Sequence, residues 1–127
     1  MTPKTSSWRA WLVLARASNL PTVWSNCLAA GTLGGGLEGG RLAVVTVSAS
    51  LLYTGGMVLN DAFDADFDRR FRRERPIPSG AVPEARVWQA GVSLLVAGTV
   101  GLAVQGFWPA LLALLLTASV VLYDALH

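Results

Sequence analysis

The stretch LAVVTVSASLLYTGGMVLN, from Leu42 to Asn60, runs for nineteen residues without a charge and is then closed abruptly by Asp61. As a helix rising about 1.5 Å per residue it is long enough to cross the roughly 30 Å hydrocarbon core of a bilayer. Ala17 to Leu37 is a second uncharged stretch, and Val87 to Tyr123 is nearly twice one span. Gln105-Gly106-Phe107-Trp108-Pro109 interrupts the last of these with turn-forming and interfacial residues, so it reads as a helical hairpin. Four transmembrane helices are predicted. Strands are not, because an open sheet edge is unsatisfied in lipid and four spans are too few to close a barrel.

Composition agrees. The chain has 127 residues, of which 53% are hydrophobic and 14% charged, with a mean hydropathy of +0.48. Such a chain is too apolar for disorder, and a net charge of +2 is too small for a nucleic-acid binder. Cys27 is the only cysteine and His127 the only histidine, which excludes an internal disulfide, a cysteine zinc cluster and a His-centred triad. The expectation is one membrane domain over residues 1–127.

Positive charge sets its orientation. Lys4, Arg9, Arg16, the five arginines from Arg69 to Arg75, and Arg86 fall on one side of the spans, and Arg41 stands alone on the other. The N-terminus and the charged loop are therefore expected in the cytoplasm. The apolar run Trp11 to Ala15 is too short for a cleaved signal, and Trp8, Trp11, Leu12 and Ala15 share a helical face suited to a membrane interface.

Ten of the eighteen charged residues lie between Asp61 and Arg75. Asn60, Asp64 and Asp68 follow at i, i+4 and i+8, with Asp61 on the same flank, so four oxygen-bearing side chains share one helical face while Asp66 points away. Stacked carboxylates repel, and the ladder is expected to cost stability unless a cation neutralises it. Oxygen ligands with no His or Cys nearby favour Mg²⁺ or Ca²⁺ over zinc. Asp64-x-Asp66-x-Asp68 begins like an EF-hand loop, but Arg69 stands where glycine is needed and Arg75 where the bidentate glutamate belongs. Mg²⁺ shared with a phosphate-bearing substrate suits the site better.

Leu59 to Asp68, followed by Arg75-Pro76-Ile77-Pro78-Ser79-Gly80, resembles the first Asp-rich signature of the UbiA superfamily of intramembrane prenyltransferases, NDxxDxxxD with an RPxPxG-like run. Arg16-Ala17-Ser18-Asn19 resembles the arginine-containing segment before the family's first span, and Gly55-Gly56 is similar to UbiA-like bacterial members of uncertain substrate. The resemblance implies the first part of an all-α fold of about nine helices. It implies transfer of an isoprenoid chain from a prenyl diphosphate to an aromatic or other lipophilic acceptor. It further implies Mg²⁺ at Asn60, Asp64 and Asp68, with Asp64 and Asp68 catalytic. Diphosphate contacts would come from Arg16 with Arg72 or Arg75, Asn60 and Asp61 taking part. Asn26 is a candidate for the pocket wall, or for interhelical hydrogen bonding.

The family's second Asp-rich motif has no counterpart here, since Asp124 is the one carboxylate side chain after Glu84. A C-terminally truncated chain, inactive alone, is the expectation. The alternatives are half of a split enzyme that pairs with a separately encoded second half, and a non-catalytic cation-binding or transport subunit. The last would need a polar path, and the spans offer little beyond Asn26, Gln89 and Gln105. Gly34 to Gly39 matches GxGxxG but lacks a preceding strand, and reads as a loop. Tyr53, Trp88 and Trp108 read as packing or interface residues, Gly31 and Gly55-Gly56 as points of close helix approach, and Pro83 as the first turn of the third span.

Overall fold

The computed structural model describes residues 7–33 and 39–126. They form six α-helices: α1 (Ser7–Ala15), α2 (Leu20–Leu33), α3 (Gly39–Phe63), α4 (Ala65–Phe71), α5 (Glu84–Ala103) and α6 (Phe107–Leu126). The protein is all-helical over the described residues, as expected, and its long apolar helices mark an integral membrane protein. Three helices are long and apolar enough to cross a bilayer: Gly40–Phe63, Glu84–Ala103 and Phe107–Leu126.

The first expected span differs from the sequence reading. Ala17–Asn19 is a turn of 3-10 helix and α2 begins only at Leu20, so its fourteen described residues reach about 21 Å. Residues 34–38, which carry the rest of that stretch and the glycine-rich string, lie outside the described residues.

α3 is the central element. It packs most extensively on α5 and also touches α1, α2 and α6. The α3–α5 contact is close because glycine faces side chain or backbone at successive levels: a Cβ on Gly91 would lie 2.6 Å from Leu59 Cγ, and one on Gly98 2.8 Å from the Ser48 carbonyl oxygen. Gly55 and Gly56 act as expected, Gly55 against α5 and Gly56 against Val120 of α6. Without a hydrophobic drive between helices in lipid, such close backbone approach is a main source of association. Side-chain hydrogen bonds add polar ties: Trp24 Nε1 donates to Ser50 Oγ at 2.9 Å between α2 and α3, and the Thr99 and Thr117 hydroxyls meet at 3.0 Å between α5 and α6.

The best-buried apolar cluster is at one end of the bundle. Ala10 and Leu14 of α1 pack there with Val58, Ala62, Ala65, Ile77, Val82 and Val87. The interfacial helix thus docks through Ala10 and Leu14, and Trp8 and Leu12 of the predicted face remain exposed. At the opposite end α5 and α6 turn through Gly106, whose φ of 136° suits glycine. Arg41 holds that turn, its Nε donating to Gln105 Oε1 at 3.0 Å and its Nη2 to the Gln105 carbonyl at 3.3 Å. Trp108 is exposed beside it, as an interface anchor would be. Pro83 sits one residue before α5, as its N-cap, and not within the first turn.

Candidate diphosphate and metal site

The Asp ladder falls where α3 leaves its apolar stretch. The helix breaks at Asp64 (φ −87°, ψ 2°) and resumes as α4, yet the amides of Asp64, Asp68 and Arg72 still donate to the carbonyls four residues earlier at 2.8–3.0 Å. The break keeps the helical register. Asn60 and Asp64 therefore remain neighbours, with Asn60 Nδ2 3.5 Å from Asp64 Oδ2. Asp66 is on the outer side, paired with Arg69 at 2.6 Å, and Arg69 also reaches Glu84 at 2.7 Å, tying α4 to the start of α5. That double pairing holds the Arg69 proton more tightly than usual, the Glu84 hydrogen bond being the main cause.

Arginines face the ladder. Arg72 Nε lies 2.9 Å from Asp68 Oδ1 and its Nη2 3.9 Å from Asp64 Oδ2. Arg75 donates to Asp61 Oδ2, and Arg16 Nη2 stands 3.9 Å from Asp61 Oδ1. Repulsion among the carboxylates is thus relieved by guanidinium groups of the same chain, Arg72 at i+4 from Asp68 and Arg75 held near the Asp face by the proline-stiffened loop. Asp68 is 2% exposed, and burial pushes its carboxyl up from the ordinary value. Arg72 pulls it back, Asp61 and Asp64 push it further up, and Arg75 opposes them.

A cleft of about 520 Å³ opens beside the ladder, lined by Arg16, Met57, Asn60, Asp64, Arg72, Ser119, Val120, Tyr123 and Asp124. Five of these are charged or carboxamide side chains delivered by four separate segments. Asp124 was noted in the sequence only as an isolated carboxylate; its place opposite α3 depends on the α5–α6 hairpin, which local pattern does not encode. Asp61, Asp68 and Arg75 stand behind the lining, and Asn26 is exposed on α2 away from it. Met57 and Val120 also line an adjoining groove of about 280 Å³ with Tyr53, Gly56 and other mostly apolar residues of α3, α5 and α6. A polar cleft and an oily groove therefore share the wall formed by Met57 and Val120.

The oxygen donors suit a hard cation. Among the described residues no three His, Cys, Asp or Glu side chains are gathered closely enough to hold a metal by themselves. Asp68 Oδ1 is buried and makes no hydrogen bond, since no N–H of Arg72 points at it despite the short distance. A buried carboxylate oxygen left in that state fits an incoming cation, and the set Asn60, Asp64 and Asp68 fits Mg²⁺ completing its shell with phosphate and water.

Residues 18–127 match the UbiA prenyltransferase family. The chain belongs to that family. It is 37% identical over 112 residues to a digeranylgeranylglyceryl phosphate synthase from Ignicoccus hospitalis, a match covering 85% of this chain and 37% of the relative. A protein of the same name from Metallosphaera sedula is 37% identical over 82 residues, covering 65% and 28%. A 4-hydroxybenzoate octaprenyltransferase from Paracidovorax citrulli is 37% identical over 75 residues, covering 57% and 23%. The chain thus spans less than two fifths of the length of these relatives. No solved structure matches it. The family membership agrees with the Asp-rich signature and the arginine-proline run, which were the residues that carried the resemblance.

Proposed function

We propose that the protein transfers an isoprenoid chain from a prenyl diphosphate to a lipophilic acceptor within the membrane, and that this chain supplies the diphosphate end of the site. The observation that carries the reading is the cleft joining Arg16, Asn60, Asp64, Arg72 and Asp124, whose wall residues Met57 and Val120 also line the apolar groove. A prenyl diphosphate has that same polarity, a charged head on an oily tail.

In this reading Asn60, Asp64 and Asp68 would hold Mg²⁺, which would supply neutralisation of the charge that develops on the departing diphosphate. Arg16 and Arg72 present guanidinium N–H groups to the diphosphate oxygens, a geometry suited to phosphate. Arg72 must then exchange contact with Asp64 and Asp68 for contact with substrate. The groove around Tyr53, Gly56 and Met57 holds the tail and keeps water from the allylic cation left by ionisation. The acceptor attacks that cation. Orientation follows the arginines, with the Asp-rich end in the cytoplasm. The match to relatives named as prenyltransferases supports the reaction class.

The test is Asp64→Ala in the protein expressed from its full reading frame, assayed for Mg²⁺-dependent prenyl transfer. Loss of roughly 10²-fold or more in kcat is expected, the scale on which one preorganised electrostatic partner acts. Transfer that persists at the wild-type rate would overturn the proposal.

A further inference from the structure

The geometry points to Asp61 and Arg75 as a positioning pair that holds Arg16 in the cleft, with Asp61 taking no part as a metal ligand; this rests on the diphosphate reading above. Asp61 belongs to the motif and, like Asp68, stands behind the cleft wall that Asn60 and Asp64 form; unlike Asp68, which faces Arg72 and has an oxygen that accepts no hydrogen bond, it lies between two arginines. Its side chain is 5% exposed, and both oxygens are engaged by arginines, Oδ2 by Arg75 and Oδ1 by Arg16. Arg75 is itself mostly covered and does not reach the cleft; Arg16 does.

The order of support can be read from these contacts. Arg75 is carried by a loop of successive turns, where the Ser79 amide donates to the Arg75 carbonyl and the Ala81 amide to the Pro76 carbonyl. It clamps Asp61 from behind. Asp61 leaves its other oxygen 3.9 Å from Arg16 Nη2, within ion-pair reach but without a hydrogen bond, at the break between α1 and the 3-10 turn. Arg16 has φ 50° and ψ 51°, a left-handed backbone uncommon for a residue with a Cβ. The Tyr53 hydroxyl donates to its carbonyl at 3.4 Å, a second hold on that conformation. A carboxylate between two guanidinium groups has little to offer a metal, but it fixes the direction of the arginine that faces substrate.

Two binding measurements separate the roles: inorganic pyrophosphate in the presence of Mg²⁺, and Mn²⁺ alone as a spectroscopic probe of the metal site. Asp61→Asn and Arg75→Gln are each expected to weaken pyrophosphate about 10- to 100-fold, the scale of one charged hydrogen bond, and to leave Mn²⁺ affinity unchanged. In an Arg16→Gln background neither is expected to have a further effect. Weaker Mn²⁺ binding in D61N, of the size seen in D64N, would make Asp61 a ligand and overturn the inference, as would further loss of pyrophosphate in the Arg16→Gln background. If a single variant fails to fold because it leaves one charge buried alone, D61N/R75Q removes both charges and gives the same readout. Absence of Mg²⁺–pyrophosphate binding in the wild type would overturn the functional reading along with this inference; the other outcomes concern Asp61 alone.

Discussion

At Asp68 burial and charge pull in opposite directions. Its carboxyl is raised mainly because water is excluded, and Arg72 only partly compensates. The sign of the pH dependence follows. The unfolded carboxyl releases its proton at the ordinary value and the folded one only at a higher pH, so between the two the folded state binds more protons and loses stability as pH rises. Asp68→Asn is expected to remove that slope from a plot of thermal midpoint against pH. Metal binding has the opposite requirement, since only the ionised carboxylate is a ligand. Mn²⁺ affinity in the wild type is therefore expected to fall, on acidification, at a higher pH than an ordinary carboxylate would give. Identical midpoint slopes for wild type and D68N would show that Asp68 titrates normally.

Among the elements, the α3–α5 contact has the least room to adjust. A Cβ on Gly98 would meet the Ser48 carbonyl oxygen at 2.8 Å and the Leu52 amide nitrogen at 3.0 Å, both backbone atoms that cannot swing aside. Gly98→Ala is expected to destabilise by about 1–3 kcal/mol, the usual cost of overpacking, visible as a lower thermal midpoint in detergent. Gly91 and Gly98 escaped the sequence reading because a helix-borne glycine has no partner until the facing helix is known. Gly55-Gly56 was legible as a doublet before a charged motif. Span length was legible for α3, α5 and α6, where uncharged residues alone decide it. It was less so for the first span, because uncharged Ala17–Asn19 takes 3-10 geometry after the left-handed Arg16, a local backbone choice that hydropathy does not register. The site divides the same way. Asn60, Asp61, Asp64 and Asp68 share a motif, yet only Asn60 and Asp64 line the cleft; the Arg72–Asp68 pair follows from i, i+4 spacing, whereas the place of Asp124 depends on contacts between segments far apart in sequence.

For the whole molecule, polarity is marked at both ends. Arg41 grips the α5–α6 turn at Gln105, while the remaining arginines crowd the Asp-rich end. In a Cys27→Ser background, cysteine at Ser79 is expected to react with a membrane-impermeant maleimide only from the cytoplasmic face, and cysteine at Gly40 only from the opposite face. Labelling of both from one side would refute the orientation. The long helices are sparsely covered by their own chain, α6 least of all, so lipid or further helices must complete their surroundings.

The internal pairing of the Asp ladder bears on how the protein is made. Asp61 and Asp68 already have guanidinium neighbours, so the nascent bundle meets no concentrated negative charge that must await an ion before it can settle in the bilayer. If the proposed Mg²⁺ site holds, a chelator such as EDTA is expected to lower the thermal midpoint only by the linkage contribution of the bound ion, leaving the bundle folded, while abolishing pyrophosphate binding. On the proposed reading, protein made while magnesium is scarce would insert with its carboxylates already paired and would take up the ion afterwards.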